Sequence, residues 1–164
     1  MDVFEAIKKR RSIRSYEDRP VEKEKIEKLL EAARLAPSAK NMQEWKFIVI
    51  TDKEIKEKLV PACKNQKFIS EAPVVIAAVS DPSFKWYKVD VGIALEHIAL
   101  EAVELGLGTC WIGAFYEDKV KEILSVPDNL EVVALMTVGY GKEEGKRTTR
   151  KPLEEIVCYD KYCF

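Results

Sequence analysis

Three arginines and a serine fall within five positions near the start of the chain, Arg10-Arg11-Ser12-Ile13-Arg14. An arginine guanidinium is a planar fork of donors that matches the oxygens of a phosphate, and a serine hydroxyl adds another donor. The same residues follow a short amphipathic segment carrying Val3, Phe4 and Ile7. Basic groups at the C-terminal end of a helix complement its dipole without binding anything. The cluster is thus an anion site, a helix cap, or both. A second basic run, Arg147-Thr148-Thr149-Arg150-Lys151, comes late in the chain. It can meet the first only in a folded or assembled site.

Ala36-Pro37-Ser38-Ala39-Lys40-Asn41-Met42-Gln43-Glu44-Trp45 joins a helix to a strand through small and amide residues. Serine and asparagine there suit a turn, whereas Gln43 and Trp45 are not favoured turn residues. Cys110-Trp111-Ile112-Gly113 ends a strand on a glycine whose backbone admits a flat ring at close range. A flavin would use all of these. Its pyrimidine edge alternates donors and acceptors, which an amide such as Asn41 or Gln43 can answer on both counts. Its ribityl chain needs polar partners and its phosphate needs cations.

Two glycine-rich stretches do not cradle a phosphate. Gly106-Leu107-Gly108-Thr109-Cys110-Trp111 puts tryptophan where a dinucleotide turn needs its third glycine, and it follows a helix instead of a strand. Gly141 to Arg147 is one residue short of a P-loop and carries Glu143 and Glu144. Side chains must hold any phosphate. No acid–base pair or nucleophilic triad stands out, so no catalytic side chain is expected and a bound cofactor would carry the chemistry. His97, alone on a mostly apolar helix, reads as a packed histidine.

The elements that position these residues follow from periodicity. Pro20-Val21-Glu22 opens a helix with Ile26, Leu29, Leu30 and Ala33 on one face, ending before Pro37. Trp45 to Thr51 reads as a strand, Lys53 to Val60 as a helix, and Pro73 to Val79 as a strand buried on both faces. The longest helix runs from Asp90, its expected N-cap, to Leu105, with Gly106 as its stop. Its main apolar face is Val91, Ala94, Leu95, Ile98, Ala102 and Leu105, but Ile93 and Leu100 lie on the opposite arc. Such a helix needs cover on more than one side. A second subunit is the favoured source, since so small a sheet covers one face. Gly108 to Gly113 is a strand, Glu117 to Leu124 a helix, and Val132 to Val138 a strand. In the tail, Ile156 to Tyr159 is a further strand with no partner in sequence order, suited to the edge of a neighbouring subunit. The fold class expected is α+β, a layered α/β arrangement.

The 164 residues fit one domain, 1–164, with a real core. Lys+Arg 27 against Asp+Glu 28 gives a net charge of -1, so the molecule as a whole attracts neither nucleic acid nor anionic membrane. The first residues carry acids and no long apolar run, and no stretch is apolar enough to span a bilayer. A cytoplasmic protein is expected. Cys63, Cys110, Cys158 and Cys163 form no metal-ligand spacing, so no metal is expected. Cys158 and Cys163 read as free thiols in a reducing cytosol, with a disulfide less surprising in a hot-living source.

Taken in order, these motifs resemble the nitroreductase family of FMN-dependent oxidoreductases over nearly the whole chain. The pieces are Arg10 to Arg14, Ala36 to Trp45, Ala72-Pro73, Asp90 with the long helix through Gly108, and Trp111-Ile112-Gly113. Val138-Gly139-Tyr140-Gly141 and Arg150-Lys151-Pro152-Leu153-Glu154-Glu155-Ile156 complete them. Each is weak alone, and their order is specific. The chain is short for the family, and Glu44 stands where a proline is common.

The resemblance implies a three-layer sandwich with a mixed sheet flanked by helices. It also implies an intertwined homodimer with C-terminal strand exchange and two FMN sites at the interface. Arg10, Ser12, Arg14 and Arg150 would hold the phosphate, with a contribution from Arg11. Pro37, Ser38, Ala39, Asn41 and Gln43 would come from the other subunit, and Ile112 and Gly113 would line the ring. Asn65, Gln66 and Lys67 are candidates for further contacts, and Ser83 to Lys88 for a cap. NADH or NADPH would reduce the flavin, and a nitroaromatic, quinone or free flavin would reoxidise it in ping-pong order. Alternatives are a relative using its flavin for dehalogenation or flavin fragmentation, or a non-enzymatic dimer binding anions or nucleic acid.

Overall fold

Side-chain caps in the sequence set two helix starts. Asp2 accepts from the Glu5 amide at 2.8 Å and opens α1 (Val3–Lys9). Asp52 accepts from the Ile55 amide at 2.9 Å and opens α3 (Lys53–Ala62). Each satisfies an amide that no preceding turn can reach. The computed structural model describes residues 1–164 and adds α2 (Lys23–Arg34), α4 (Phe68–Glu71), α5 (Tyr87–Glu104) and α6 (Glu117–Leu124). The strands are β1 (Lys46–Ile50), β2 (Val74–Ser80), β3 (Gly108–Ile112) and β4 (Glu131–Gly139), in sheet order β1-β2-β4-β3. Every pairing among them is antiparallel. A parallel bridge between Ser12 and Thr109 extends the sheet beyond β3.

All seven β2 residues are buried, as its unbroken run of small and branched apolar residues predicts. Alternation along the strand sends Val75, Ala77 and Val79 to a core shared with α3, α4 and α6. Val74, Ile76 and Ala78 go to a second core shared with α2 and α5. The result is a three-layer α+β sandwich. No helix is long and apolar enough to cross a membrane.

Three expectations change. Helix α5 starts one turn before Asp90, with Trp86 at the N-cap position. The extra turn is anchored where Tyr87 donates to Glu131 at 2.7 Å and Lys88 pairs with Glu131 at 2.8 Å. Ser83 to Lys88 therefore runs into a fixed helix, and of its aromatics Trp86 is left half exposed. Helix α5 also draws its cover on two sides from its own chain, because α2 folds back over the face that the sheet leaves free. His97 is satisfied there, its Nδ1 3.1 Å from the Ala32 carbonyl.

The third change is the tail. Ile156 to Tyr159 forms no strand, because no sheet edge of this chain meets it. A 3-10 turn at Leu153–Glu155 leads instead to a Cys158–Cys163 disulfide, closed over a turn with Asp160 at φ 62°. The two cysteines are paired, not free. Cys63 and Cys110 are free and buried. Alkylation should thus label none of the four cysteines in the native protein. In denaturant without reductant it should label two, read by mass; labelling of all four would remove the disulfide.

Candidate functional site

Helix α1 ends at Arg10, and Arg11 turns back over that end. Its Nη1 donates to the Lys8 carbonyl at 2.6 Å and the Arg10 carbonyl at 2.7 Å. Arg11 is a helix cap. Arg10 swings the other way, its Nε 3.5 Å from a Glu96 carboxylate oxygen on α5. Ser12 then bridges to Thr109, and the Ile13 amide donates to the Thr109 carbonyl at 2.9 Å. Arg14 is exposed. Burial pushes the Cys110 thiol up, while the charges of Arg14 and Arg10 and a hydrogen bond with Ser12 work against it. Three of the four expected phosphate residues thus gather beside one position of β3.

A residue that the motif did not include holds this stretch in place. Tyr16 is 1% exposed, and its hydroxyl donates to the Ile13 carbonyl at 2.7 Å. It also shares a 2.7 Å hydrogen bond with Thr137 Oγ1 on β4. Burial raises its phenol above the ordinary range. Tyr16→Phe would strand the Ile13 carbonyl and leave the buried Thr137 hydroxyl with only the Cys110 carbonyl, at 3.4 Å. The expected cost is about 1–3 kcal/mol of stability, read by urea unfolding. Nothing in the sequence flags this tyrosine, because Thr137, the partner that ties it to the sheet, lies 121 residues away.

At the other end of β3, Ile112 is buried and Gly113 is exposed. A Cβ on Gly113 would meet nothing within 4 Å, so its face opens on free space. Gly113 lies four positions beyond Thr109, roughly 13 Å at strand rise. Strand β3 therefore has clustered cations beside its start and a bare backbone just past its end.

The Pro37-to-Gln43 loop is held in a costly conformation. Lys40, Asn41 and Gln43 take φ of 53°, 56° and 53°, the left-handed region that side chains disfavour. Ser38 Oγ accepts from the Gln43 amide at 3.1 Å, and Gln43 Nε2 donates to the Asn41 carbonyl at the same distance. The Ala39 amide donates to both carboxylate oxygens of Asp90, at 3.2 and 3.1 Å. Asp90, expected to cap its own helix, restrains this loop instead. Asp90→Ala should cost about 1.5–3 kcal/mol, the range for charged hydrogen bonds, and release the loop. Denaturant unfolding checks the first, and amide exchange over 37–43 the second. Pro37 and Asn41 are exposed, and Glu44 Oε2 is buried without a partner.

Within one chain the loop is anchored on Asp90 and Arg10 on Glu96, six residues apart, about 9 Å along α5 and about 120° around it. Arg150 bonds only within its own tail, to Thr148 and Thr149. Gln66 Nε2 donates to the Cys63 and Ala114 carbonyls, while Asn65 and Lys67 are exposed. A cavity of about 870 Å³ lies behind the arginines, lined by Lys8, Gly108, Gly141 and Arg147, and of the expected site residues only Arg11 borders it.

The model of the Nitroreductase family matches residues 7–67 and 62–140. A protein of Archaeoglobus fulgidus, provisionally named NADH dehydrogenase/NAD(P)H nitroreductase, is 38% identical over 144 residues, covering 82% of this chain and 83% of that protein. The FMN reductase (NAD(P)H) of Bacillus subtilis is 30% identical over 179 residues, covering 94% of this chain and 72% of its own. The solved structure of an FMN-dependent nitroreductase from Clostridium difficile matches with a TM-score of 0.86 and 34% identity, covering 96% of this chain and 98% of that one.

Proposed function

Because this chain belongs to the nitroreductase family, we propose that it is an FMN-dependent oxidoreductase that passes a hydride from NAD(P)H to an organic acceptor. It is an enzyme of the oxidoreductase class, as its relatives are named. Bound FMN supplies the redox chemistry, carrying the hydride at N5 between donor and acceptor in ping-pong order. The acceptor is a nitroaromatic, a quinone or a free flavin, and the enzyme works in the cytoplasm.

The chain's own residues bind and orient. Arg10, Ser12 and Arg14 hold the phosphate, and Arg150 reaches it from the tail. Arg11 keeps the end of α1 in register with them. Ile112 and Gly113 line the ring, with the Gly113 amide available as a donor at its edge. Pro37, Ser38, Ala39, Asn41 and Gln43 come from the second subunit of a homodimer. The bare apolar residues of α1 (Val3, Phe4, Ile7) and of the tail (Leu153, Ile156, Tyr159) support such a dimer, being more than half exposed in one chain. Strand β3 carries the reading, since one rigid element has the phosphate cluster beside its start and the open backbone of Gly113 just past its end.

Purified protein should be yellow or take up FMN, sediment as a dimer, and bleach with NADH or NADPH under anaerobic conditions. Colourless protein indifferent to added FMN would overturn the proposal. A monomer with full FMN occupancy would overturn the two-chain site.

A further inference from the structure

We propose that Gln66 is a positioning residue for the end of β3, a role that rests on Gly113 facing a flavin as proposed above. Its side chain sets the direction in which the chain leaves the strand and so fixes what Gly113 presents. Gln66 lies at the corner between α3 and α4. Its Nε2 donates to the Cys63 carbonyl at 2.9 Å and to the Ala114 carbonyl at 3.1 Å. A primary amide has two N–H groups, so one nitrogen serves both carbonyls at once.

One end of this bridge is firm, because Cys63 is fully buried at the end of α3. The other end is the residue next to Gly113. A second tie runs the same way, from the Tyr116 amide to the Ala62 carbonyl at 2.8 Å. The corner is itself constrained, with Lys64 and Asn65 both left-handed at φ 57° and 59°. Consecutive residues hold that conformation only where their surroundings impose it. The open face of Gly113 thus depends on a side-chain amide that bonds to two backbone carbonyls.

Gln66→Leu removes both donors at similar size. Gln66→Lys returns them, as Lys56 shows in this chain by donating to the Ala72 carbonyl at 2.7 Å and the Pro73 carbonyl at 3.3 Å. In flavin-free protein, amide exchange over residues 113–116 should rise on the order of tenfold in Gln66→Leu and return towards the parent rate in Gln66→Lys. With FMN bound, Gln66→Leu should shift the visible spectrum and lower kcat about fivefold, the effect of one neutral hydrogen bond, with KM unchanged. If Gln66→Leu does not fold, Gln66→Glu keeps the size without the donors and carries the same comparison. Unchanged exchange, spectrum and kcat, or a loss that lysine does not rescue, would overturn the proposal. If the parent protein binds no FMN, the proposed function fails instead. The exchange rates of the flavin-free protein then still decide whether Gln66 orders the loop.

Discussion

Arg10→Ala and Arg14→Ala should each lower FMN affinity by about 1.5–3 kcal/mol, the range for charge-assisted hydrogen bonds. That is roughly ten- to hundredfold in Kd. The two should not be equal. Arg10 is the more buried and lies 3.5 Å from Glu96, so its loss removes a cation and also bares a carboxylate toward the phosphate. Arg14 is exposed and unmasks nothing comparable. Arg10→Ala should therefore be the weaker binder, and Glu96→Gln in that background should recover part of the loss. Arg11→Ala should mainly cost stability, since its donors are spent on the Lys8 and Arg10 carbonyls. Quenching of FMN fluorescence at fixed ionic strength measures the affinities, and urea unfolding measures the cost of Arg11→Ala. Parent-like retention of flavin by both Arg10→Ala and Arg14→Ala would remove the phosphate assignment.

Gly139→Ala should be strongly destabilising. A Cβ there would fall 2.4 Å from Pro73 Cδ and 2.9 Å from Tyr16 Cδ1. Neither neighbour can yield. Pro73 is fixed by its ring where the chain enters β2, and Tyr16 is held by Ile13 and Thr137. Overpacking a rigid site costs about 3 kcal/mol, which lowers Tm by roughly 6–12 °C in a domain of this size. Because Tyr16 secures the arginine stretch, FMN affinity should fall with it. A variant melting with the parent would mean that the strands separate more easily than their packing indicates.

The four strands of the sheet were readable because each is a run of branched and apolar residues bounded by a turn or a cap. Helix α6 was readable to the residue. Asp90 was misread for a physical reason. A carboxylate at the start of an apolar periodic run looks the same in sequence whether it caps its own helix or a loop fifty-one residues away. Ile156-Val157-Cys158-Tyr159 has strand composition, yet within the chain it meets no sheet edge and leads into the Cys158–Cys163 loop instead.

Sequence alone determined the chemistry on offer. Arg10, Ser12 and Arg14 with Gly113 and the amide-rich loop are donors and gaps suited to one anionic, flat-ringed ligand, and those capacities belong to the residue types. Only the tertiary structure decided which of them meet. It aligned the arginines with β3 through Tyr16 and spent Arg11 on a helix end. It gave Asp90 to the strained loop and tied Arg150 within its own tail. Pairings of this kind join positions far apart in the chain and depend on distance and direction, which residue order does not encode.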